Sequence, residues 1–414
     1  MNDVRRRWVT LVACVLASVF TGFGYTWSVY LKPLAAAHGW PAADVALSYT
    51  ALMSTAAAMA IVSGWALKYL RPRTLVLIGG VLLGLGVAAL GSVQSLGAMY
   101  AFAFVAGIGL GIVYPGATMA NLIRFFPDRG GFASGWLTAG AGIGGMLWGP
   151  IAVWLIGQYG LTAALRLVGV LFGVAIVLCS RFVATAPVSA PAPVGESPAQ
   201  ARLSAGGEAQ QLDWRGMLRS PLFYLLAALF LLGTTSGMLV IGQAAPIVED
   251  MAGASARGVG AAVTAVALGM VLGKVAWGWV SDRIGRYAVL VLLFGVALAG
   301  LLLMLAADGY AALVLGMAAV ALCYGGFVAV MGPLTADAFG ERYLGVNFGI
   351  MFLSIAVAAY VGPQLGARVA AANGGDFTVA FVVAAAVSAS GLAAAMGCGA
   401  VLKHTRIRRA EGGP

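Results

Sequence analysis

One lysine lies in an apolar stretch of the chain, where a charge is costly. Lys274 stands in the segment ALGMVLGKVAWGWVSDRIGR, eight residues before the charge cluster that begins at Asp282. At a helical rise of about 1.5 Å per residue, Lys274 would lie about 12 Å inside a membrane whose hydrocarbon core is about 30 Å thick. A cation at that depth is a candidate for binding an anion.

The alternative for Lys274 is a structural role, in which the flexible stem of the side chain carries the ammonium group toward the lipid headgroups. A depth of about 12 Å exceeds the reach of that stem. The pattern therefore favours a binding role, and one cation without a second charge beside it suits a monoanion. Binding of the anion could be coupled to protonation of the lysine.

Tyrosines inside the apolar segments are the candidates that would complete such a site. A phenol supplies an aromatic wall and one hydrogen bond to a small carboxylate. Each tyrosine could instead pack in the protein with its hydroxyl satisfied locally. The predicted substrate-binding residues are Lys274, Tyr25, Tyr114, Tyr324 and Tyr360.

Acidic residues avoid the middle of the apolar segments. All 14 Asp and Glu lie in loops, tails or helix ends. Cation exporters and most proton-coupled drug antiporters need a buried acid, so this pattern disfavours both classes. The four cysteines have no metal-type spacing and no Walker motif is present, so we expect no metal, no cofactor and no enzymatic activity.

The composition is that of a membrane protein. Hydrophobic residues make up 61% of the chain and charged residues only 9%, against about 25% charged in soluble domains. The net charge of +10 comes from basic residues in short connections between apolar runs. Because they form no basic surface, a nucleic-acid partner is not expected.

Twelve apolar runs are long enough to cross a membrane, which takes about 20 residues. The arginines at the N-terminus precede an apolar run longer than the 7 to 15 residues of a signal peptide, so the first run should stay uncleaved. The predicted spans are 8–36, 44–67, 74–93, 97–122, 131–157, 161–183, 221–247, 257–281, 287–306, 309–335, 344–370 and 377–402.

The distribution of basic residues predicts the orientation. All but five of the 24 Lys and Arg lie in one set of connections. The positive-inside rule then places both termini and the long middle loop in the cytoplasm. We expect a multi-pass protein of the bacterial cytoplasmic (inner) membrane, acting as a monomer among membrane lipids.

The two halves of the chain are internal copies. Matching residues are separated by 213 or 214 positions, and proline and charge pairs recur together with glycine. The pairs are Pro33 with Pro246, Gly64-Trp65 with Gly278-Trp279, Asp128-Arg129 with Glu341-Arg342, Gly135 with Gly349, and Gly149-Pro150 with Gly362-Pro363. We predict a six-helix bundle at 1–183, a cytoplasmic Pro/Ala/Gly/Ser-rich linker at 184–219 and a second bundle at 220–414.

Parallel repeats of six helices resemble the plan of the major facilitator superfamily. The segment GWVSDRIGR, from Gly278 to Arg286, is similar to the cytoplasmic loop signature of that superfamily, and the first copy has Lys68 where the acid would be. The resemblance implies an all-α membrane protein of twelve helices in two pseudo-symmetric bundles that works by alternating access. The expected gating residues are Asp282, Arg283, Arg286, Asp128, Arg129, Glu341 and Arg342.

Four stretches resemble one branch, the oxalate/formate antiporter and monocarboxylate transporter group. They are RRRWVTLVACVLASVFTGFGYTWSVYLKPL, NLIRFFPDRGGFASG, LGKVAWGWVSDRIGR and TADAFGERYLGVNFG. In that group a cation in the eighth helix pairs with the substrate carboxylate, and the matching residue here is Lys274, although an arginine is usual there. The oxalate/formate antiporter also uses a cation in the eleventh helix, whereas this chain has no Lys or Arg between Arg342 and Arg368.

The resemblance therefore implies a secondary transporter of a small organic anion, with a monocarboxylate preferred to a dianion such as oxalate. Protons or a counter-anion are the candidate coupled species, so symport and antiport both remain open. One alternative is export of a drug or metabolite. An alternative of another class is a membrane sensor that does not transport.

Overall fold

A computed structural model describes residues 3–186, 211–374 and 376–410, and every regular element within these ranges is a helix. Backbone N–H and C=O groups in lipid have no water to bond, and a helix satisfies them within one segment. The predicted all-α membrane fold is confirmed.

One compact unit consists of Met1–Pro127, Trp136–Ala190 and Tyr343–Ile350. A π-helical segment, Ile112–Ala117, joins two of its helices. The helices are α1 (Asp3–Thr21), α2 (Phe23–His38), α3 (Ala42–Ala66), α4 (Pro72–Leu90), α5 (Leu96–Gly111), α6 (Thr118–Phe125) and most of α7 (Gly130–Ser180).

The other compact unit consists of Asp128–Gly135, Pro191–Arg342 and Met351–Pro414. It includes the first residues of α7, up to Gly135. Its helices are α8 (Trp214–Arg219), α9 (Pro221–Gly242), α10 (Ala244–Ala252), α11 (Ala256–Ile284), α12 (Arg286–Leu305), α13 (Tyr310–Phe339), most of α14 (Leu344–Ala372) and α15 (Thr378–Ala410).

The helix α7 accounts for two membrane spans. Among the described residues, 11 helices are long and apolar enough to cross a membrane, and α7 has 51 residues. At 1.5 Å per residue it would extend for about 77 Å, more than twice the hydrocarbon thickness. Gly160, at φ +77° and ψ 166°, interrupts it in a conformation that glycine adopts readily. The break separates the predicted spans 131–157 and 161–183, and the total agrees with the twelve-helix fold.

The predicted linker, 184–219, lies mostly outside the described residues. Its first residues are bonded within the first unit, where Ala186 N donates to Asn121 Oδ1 at 3.0 Å. Its last residues are bonded within the second unit, where Leu212 N donates to Phe339 O at 3.0 Å. Both described ends are therefore attached to the bundle next to them.

In the second unit, α11 and α13 pack backbone against backbone. A Cβ added to Gly273 would overlap the carbonyl oxygen of Leu322, and one added to Gly325 would overlap that of Met270. Apolar burial does little to hold helices together in lipid, so close van der Waals packing of small residues takes its place. This packing brings α13 directly against the turn of α11 that carries Lys274.

The same glycine contact occurs once in each unit. In the first unit, the Cβ position of Gly64 overlaps the backbone of Gly345, and in the second, that of Gly278 overlaps the carbonyl oxygen of Gly131. Gly278 follows Gly64 by 214 residues, and Gly345 follows Gly131 by the same interval. The internal repeat seen in the sequence therefore corresponds to a repeated tertiary contact.

Replacing Gly273 by alanine should lower the thermal stability of the detergent-solubilised protein. Its methyl group would overlap Leu322 O, and overpacking of this kind costs about 1 to 3 kcal/mol. The matched control is Gly295→Ala in α12, since nothing lies within 4 Å of its added Cβ. Size-exclusion chromatography after heating measures the apparent Tm, and equal values for the two variants would contradict the close packing.

Candidate functional site

Lys274 is fully buried in α11, with 0% of its surface exposed. Two glycines lie against its backbone: a Cβ on Gly325 would lie 2.8 Å from Lys274 N, and one on Gly135 would overlap Lys274 O. Among the residues whose side chains are described, no other charged residue is buried to this extent. The lysine is therefore enclosed by protein, and its ammonium group is not exposed at the surface.

Tyr324 lies on α13, next to Gly325, and is 2% exposed. Its side chain packs against α9, where a Cβ on Gly237 would lie 2.7 Å from Tyr324 Cβ. Gly325, the next residue in the chain, contacts the backbone of Lys274. Tyr324 and Lys274 therefore lie on turns of α13 and α11 that pack against each other.

Three hydroxyl residues of α9 lie close in sequence to Gly237. Thr234 donates to Phe230 O, Thr235 Oγ1 donates to Leu231 O at 2.6 Å, and Ser236 Oγ donates to Gly233 O at 3.1 Å. These hydroxyl protons are used within the helix, which suits a structural role. The oxygen lone pairs of these hydroxyls keep some acceptor capacity, whereas an anion needs donors.

Tyr360 differs from Tyr324 in its exposure. It is 70% exposed on α14, although its neighbour Gly362 packs against α9, with the Cβ position 2.8 Å from Thr235 O. Gln243 Nε2 donates to Pro363 O at 3.0 Å at the same junction. These contacts hold α14 against α9. The Tyr360 side chain is nevertheless the most exposed of the predicted binding residues.

In the first unit, Tyr114 lies where the helical run from α5 to α6 is broken. Its backbone is extended, with φ −140° and ψ 127°, and a proline follows it. Proline lacks the N–H of a helical hydrogen bond and disfavours helical geometry in the residue before it. The break places the 7% exposed phenol of Tyr114 beside a backbone that has left the helical hydrogen-bond pattern.

Tyr25 of α2 lies within electrostatic range of Tyr114 and of Tyr49 of α3, so a negative charge on one phenol oxygen would be felt by the other. Tyr25 is 46% exposed and packs its Cβ against Gly145, whose added Cβ would lie 2.8 Å away. Tyr49 was not among the predicted binding residues, although its position inside an apolar span, five residues beyond Asp44, was the available signal.

Asp282, near the end of α11, caps the first turn of α7. Its Oδ1 accepts a hydrogen bond from Gly131 N at 2.9 Å, and its Oδ2 accepts one from Phe132 N at 2.7 Å. N–H groups in the first turn of a helix have no partner within it and carry the positive end of the helix dipole. The carboxylate therefore bonds two such groups and also pairs with Arg286, whose Nη1 lies 2.6 Å from Oδ1.

Arg286 extends this network to α13. Its Nη1 donates to Ser281 Oγ at 2.6 Å, and its Nε donates to Asp337 Oδ2 at 3.3 Å. Asp337 was not among the predicted gating residues, although it stands in the TADAFGERYLG segment that the sequence analysis singled out. The guanidinium group thus joins two carboxylates near the ends of α11 and α13.

The other predicted gating residues make weaker contacts. Arg283 lies over the Trp279 ring, with its Cζ 3.5 Å from the ring centroid. Arg129 Nε lies 3.6 Å from Asp128 Oδ2, and the side chains are 62% and 45% exposed. Exposed pairs of this kind contribute little stability.

The remaining predicted pair follows α13. Arg342 is exposed, and its backbone N–H donates to Gln211 Oε1 at 3.0 Å, while Glu341 is half-buried. Gly340, which ends α13, has φ +89°. These residues therefore form the turn between α13 and α14.

The positive charge of Lys274 determines what this part of the structure can receive. Within residues 3–186, 211–374 and 376–410, no three His, Cys, Asp or Glu side chains are grouped so as to hold a metal ion. The buried ammonium group can receive an anion through charge and hydrogen bonding.

Comparison with known proteins identifies the family. The sequence profile of the Major Facilitator Superfamily matches residues 12–251 and 237–410. The chain is 29% identical over 392 residues to the oxalate:formate antiporter of Oxalobacter formigenes, covering 92% of this chain and 89% of that protein. It is 28% identical over 326 residues to monocarboxylate transporter 12-B of Danio rerio, covering 71% and 66%. These relatives confirm the resemblance noted in the sequence.

The fold is also that of a solved transporter. The structure of the proton:xylose symporter XylE bound to 6-bromo-6-deoxy-D-glucose aligns with a TM-score of 0.73 over 94% of this chain and 95% of that one. Because the two sequences are only 11% identical, this comparison supports a shared fold and nothing more. The helical architecture, the internal repeat and the family match over both halves show that this chain is a membrane transporter of the Major Facilitator Superfamily.

Proposed function

We propose that this protein is a secondary transporter that moves a small monocarboxylate across the membrane by alternating access. The observation that carries the proposal is the complete burial of Lys274 in α11. A buried ammonium is costly, and a carboxylate bound against it offsets that cost. The substrate carboxylate would therefore bind at Lys274.

The named relatives support this substrate class. An oxalate:formate antiporter and a monocarboxylate transporter are both named for small carboxylates. The motif of this group places a cation at the position of Lys274. Lysine is a point charge with three donors, whereas arginine offers a planar fork that matches both carboxylate oxygens.

A monoanion fits the charges of the chain better than a dianion does. The only basic residue of α14 is Arg368, near the end of that helix, and no acid lies in the middle of any predicted span. A second carboxylate would thus lack a second cation from α14. Formate, lactate and pyruvate are the substrates that we favour.

The tyrosines would complete the site. Tyr324 is the first choice for a hydrogen bond to the carboxylate, because it is buried next to the glycine that contacts Lys274. Tyr25 and Tyr114 belong to the first unit, and their part in substrate binding stays a prediction from the sequence. Tyr360 would contribute least, because it is mostly exposed.

Substrate binding and protonation would be coupled at Lys274. The ammonium form is stabilised by a bound carboxylate, so the anion and a proton would bind together, and exchange against a counter-anion would use the same residue. We place both termini in the cytoplasm and the protein in the bacterial inner membrane, from the distribution of basic residues.

The Asp282 network would act as a gate. Alternating access requires contacts that form in one state and separate in another. Asp282 and Arg286 are suited to this because charged hydrogen bonds are strong but can be replaced by water. Arg283, Arg129 and Arg342 would supply further cations for the gate. Asp128 and Glu341 would supply the remaining acidic partners.

Replacing Lys274 should abolish most transport. Loss of a hydrogen bond to a charged group costs about 1.5 to 3 kcal/mol, which predicts at least about a tenfold fall in uptake for Lys274→Gln. Lys274→Arg should keep part of the activity because it keeps the charge. Uptake of labelled lactate, pyruvate or formate into proteoliposomes measures this.

The control for Lys274 is Arg257→Gln, which removes an exposed cation at the start of the same helix. Undiminished transport by Lys274→Gln would refute the assignment of the binding residue. If carboxylates raise the Tm of the wild-type protein but no flux occurs, the protein is a sensor. Flux of amphipathic drugs without flux of carboxylates would identify an exporter.

Tyr324→Phe should raise the KM for the carboxylate while leaving the maximal rate nearly unchanged. The variant loses one hydrogen bond, worth about 0.5 to 1.5 kcal/mol, so we expect a rise of about two- to tenfold. Tyr224→Phe, an exposed position on α9, is the control. Equal KM values for the wild type and Tyr324→Phe would exclude the hydroxyl from the site.

Asp282→Asn should lower both the apparent Tm and the initial rate of uptake. An asparagine side chain has one acceptor oxygen where the aspartate uses two, and it has no charge to pair with Arg286. Loss of a helix cap costs about 0.5 to 2 kcal/mol. Asp308→Asn, an exposed loop residue before α13, should leave both quantities unchanged. If Asp282→Asn has the apparent Tm and the initial rate of the wild type, the proposed gating role of Asp282 is wrong.

A further inference from the structure

A groove on the surface of the first unit runs between the beginning of α1 and the second half of α7. Its volume is about 440 Å³. Aromatic and aliphatic side chains line it, and those that are exposed are Trp8, Val12, Leu16, Leu178 and Phe182. The groove is a concave, wholly apolar surface on two membrane-spanning helices.

The groove has the length of one leaflet of a bilayer. From Trp8 to Leu16 the helix rises by about 12 Å, and half of a hydrocarbon core is about 15 Å. Exposed aliphatic groups on a membrane span face lipid chains. An acyl chain that lies along α1 would therefore contact the groove over most of its depth.

Arginines lie at one end of the groove, on both of its walls. Arg5 and Arg6 precede Trp8 on α1, Arg181 follows α7 directly, and all three are exposed. A hydrogen bond joins α1 to the segment that follows α7 at this end, because Arg6 Nη2 donates to Thr185 O at 3.4 Å. The cations are thus held on neighbouring segments at the mouth of the groove.

The neighbouring arginine, Arg7, has a different environment. It is half-buried and lies over the Phe126 ring, with its Cζ 4.0 Å from the centroid. Trp8 packs edge-on against the same ring, at 5.5 Å between centroids. Tryptophan is common at the level of the lipid headgroups, so Arg5, Arg6 and Arg181 lie where headgroup phosphates would be.

Basic residues outnumber acidic ones at this end. Asp3 is the one acidic residue in the two segments that form the groove, 3–43 and 129–195, and Arg5, Arg6, Arg7 and Arg181 stand against it. A zwitterionic headgroup brings an amine that would meet mainly cations there. An anionic headgroup brings no such repulsion, and basic sites between membrane helices suit anionic lipids.

We infer that this groove is a binding site for an anionic phospholipid of the surrounding bilayer. The phosphate group lies against Arg5, Arg6 and Arg181, and one acyl chain lies along Trp8, Val12 and Leu16. The site is separate from Lys274 and does not depend on the identity of the transported substrate. Its ligand is a lipid held at the edge of the first unit.

Native mass spectrometry of protein taken from bilayers of equal phosphatidylglycerol and phosphatidylcholine tests the headgroup. The wild type should retain phosphatidylglycerol in preference, and Arg5→Gln/Arg6→Gln should reduce that preference by at least about fivefold. Arg181→Gln should reduce it as well. The matched control is Arg71→Gln/Arg73→Gln, which removes two exposed arginines elsewhere in the same unit. Equal losses in the two double variants would overturn the proposal.

Quenching of tryptophan fluorescence by lipids with brominated acyl chains tests the apolar part. The difference between the wild type and Trp8→Phe isolates the signal of Trp8, which should be quenched more by brominated phosphatidylglycerol than by brominated phosphatidylcholine. Soluble glycerol phosphate should not reverse the difference, because it has no chain. Equal quenching by the two lipids, or reversal by glycerol phosphate, would show that the groove does not hold an anionic phospholipid.

Discussion

A positive charge within the membrane-spanning part of a protein costs several kcal/mol unless other polar groups replace the water that it loses. Lys274 has this position, and α11 can carry it because α13 lies against the helix backbone on one side and the first turns of α7 on another. Enclosure keeps the ammonium out of lipid. Opposite charges attract one another more strongly in such a low-dielectric environment than in water, which is why we propose that an anion binds at this position.

Close approach of the helices depends on glycine at particular turns. Gly273 and Gly325 allow α11 and α13 to meet at carbonyl oxygens, which larger side chains would hold apart. Burial of apolar surface provides no comparable driving force between helices that already lie in lipid. The 59 glycines of the chain thus include positions that determine how near Tyr324 can come to Lys274.

The two units share a glycine contact but differ in the charge beside it. In the second unit, Asp282 bonds the first N–H groups of α7 and pairs with Arg286. In the first, the residue at the equivalent position is Lys68, whose Nζ lies 5.3 Å from the centre of the Tyr343 ring. A carboxylate at a helix N-terminus is a directional hydrogen-bonded contact, whereas a cation over a ring is looser. The strong polar contact is therefore present in only one of the two copies. The sequence indicated this difference, because Lys68 stands in the first copy where the second has Asp282.

The sequence by itself determined the membrane class, the twelve spans, the repeat and the isolated cation, because hydropathy and the cost of a buried charge act on local runs of residues. It also located the interruption of α7 near residue 160. Only the tertiary structure decided that Tyr360 is exposed while Tyr324 is buried, and that Asp337 shares Arg286 with Asp282. The direction of each side chain depends on which helices pack around it, and those neighbours lie far away in the chain.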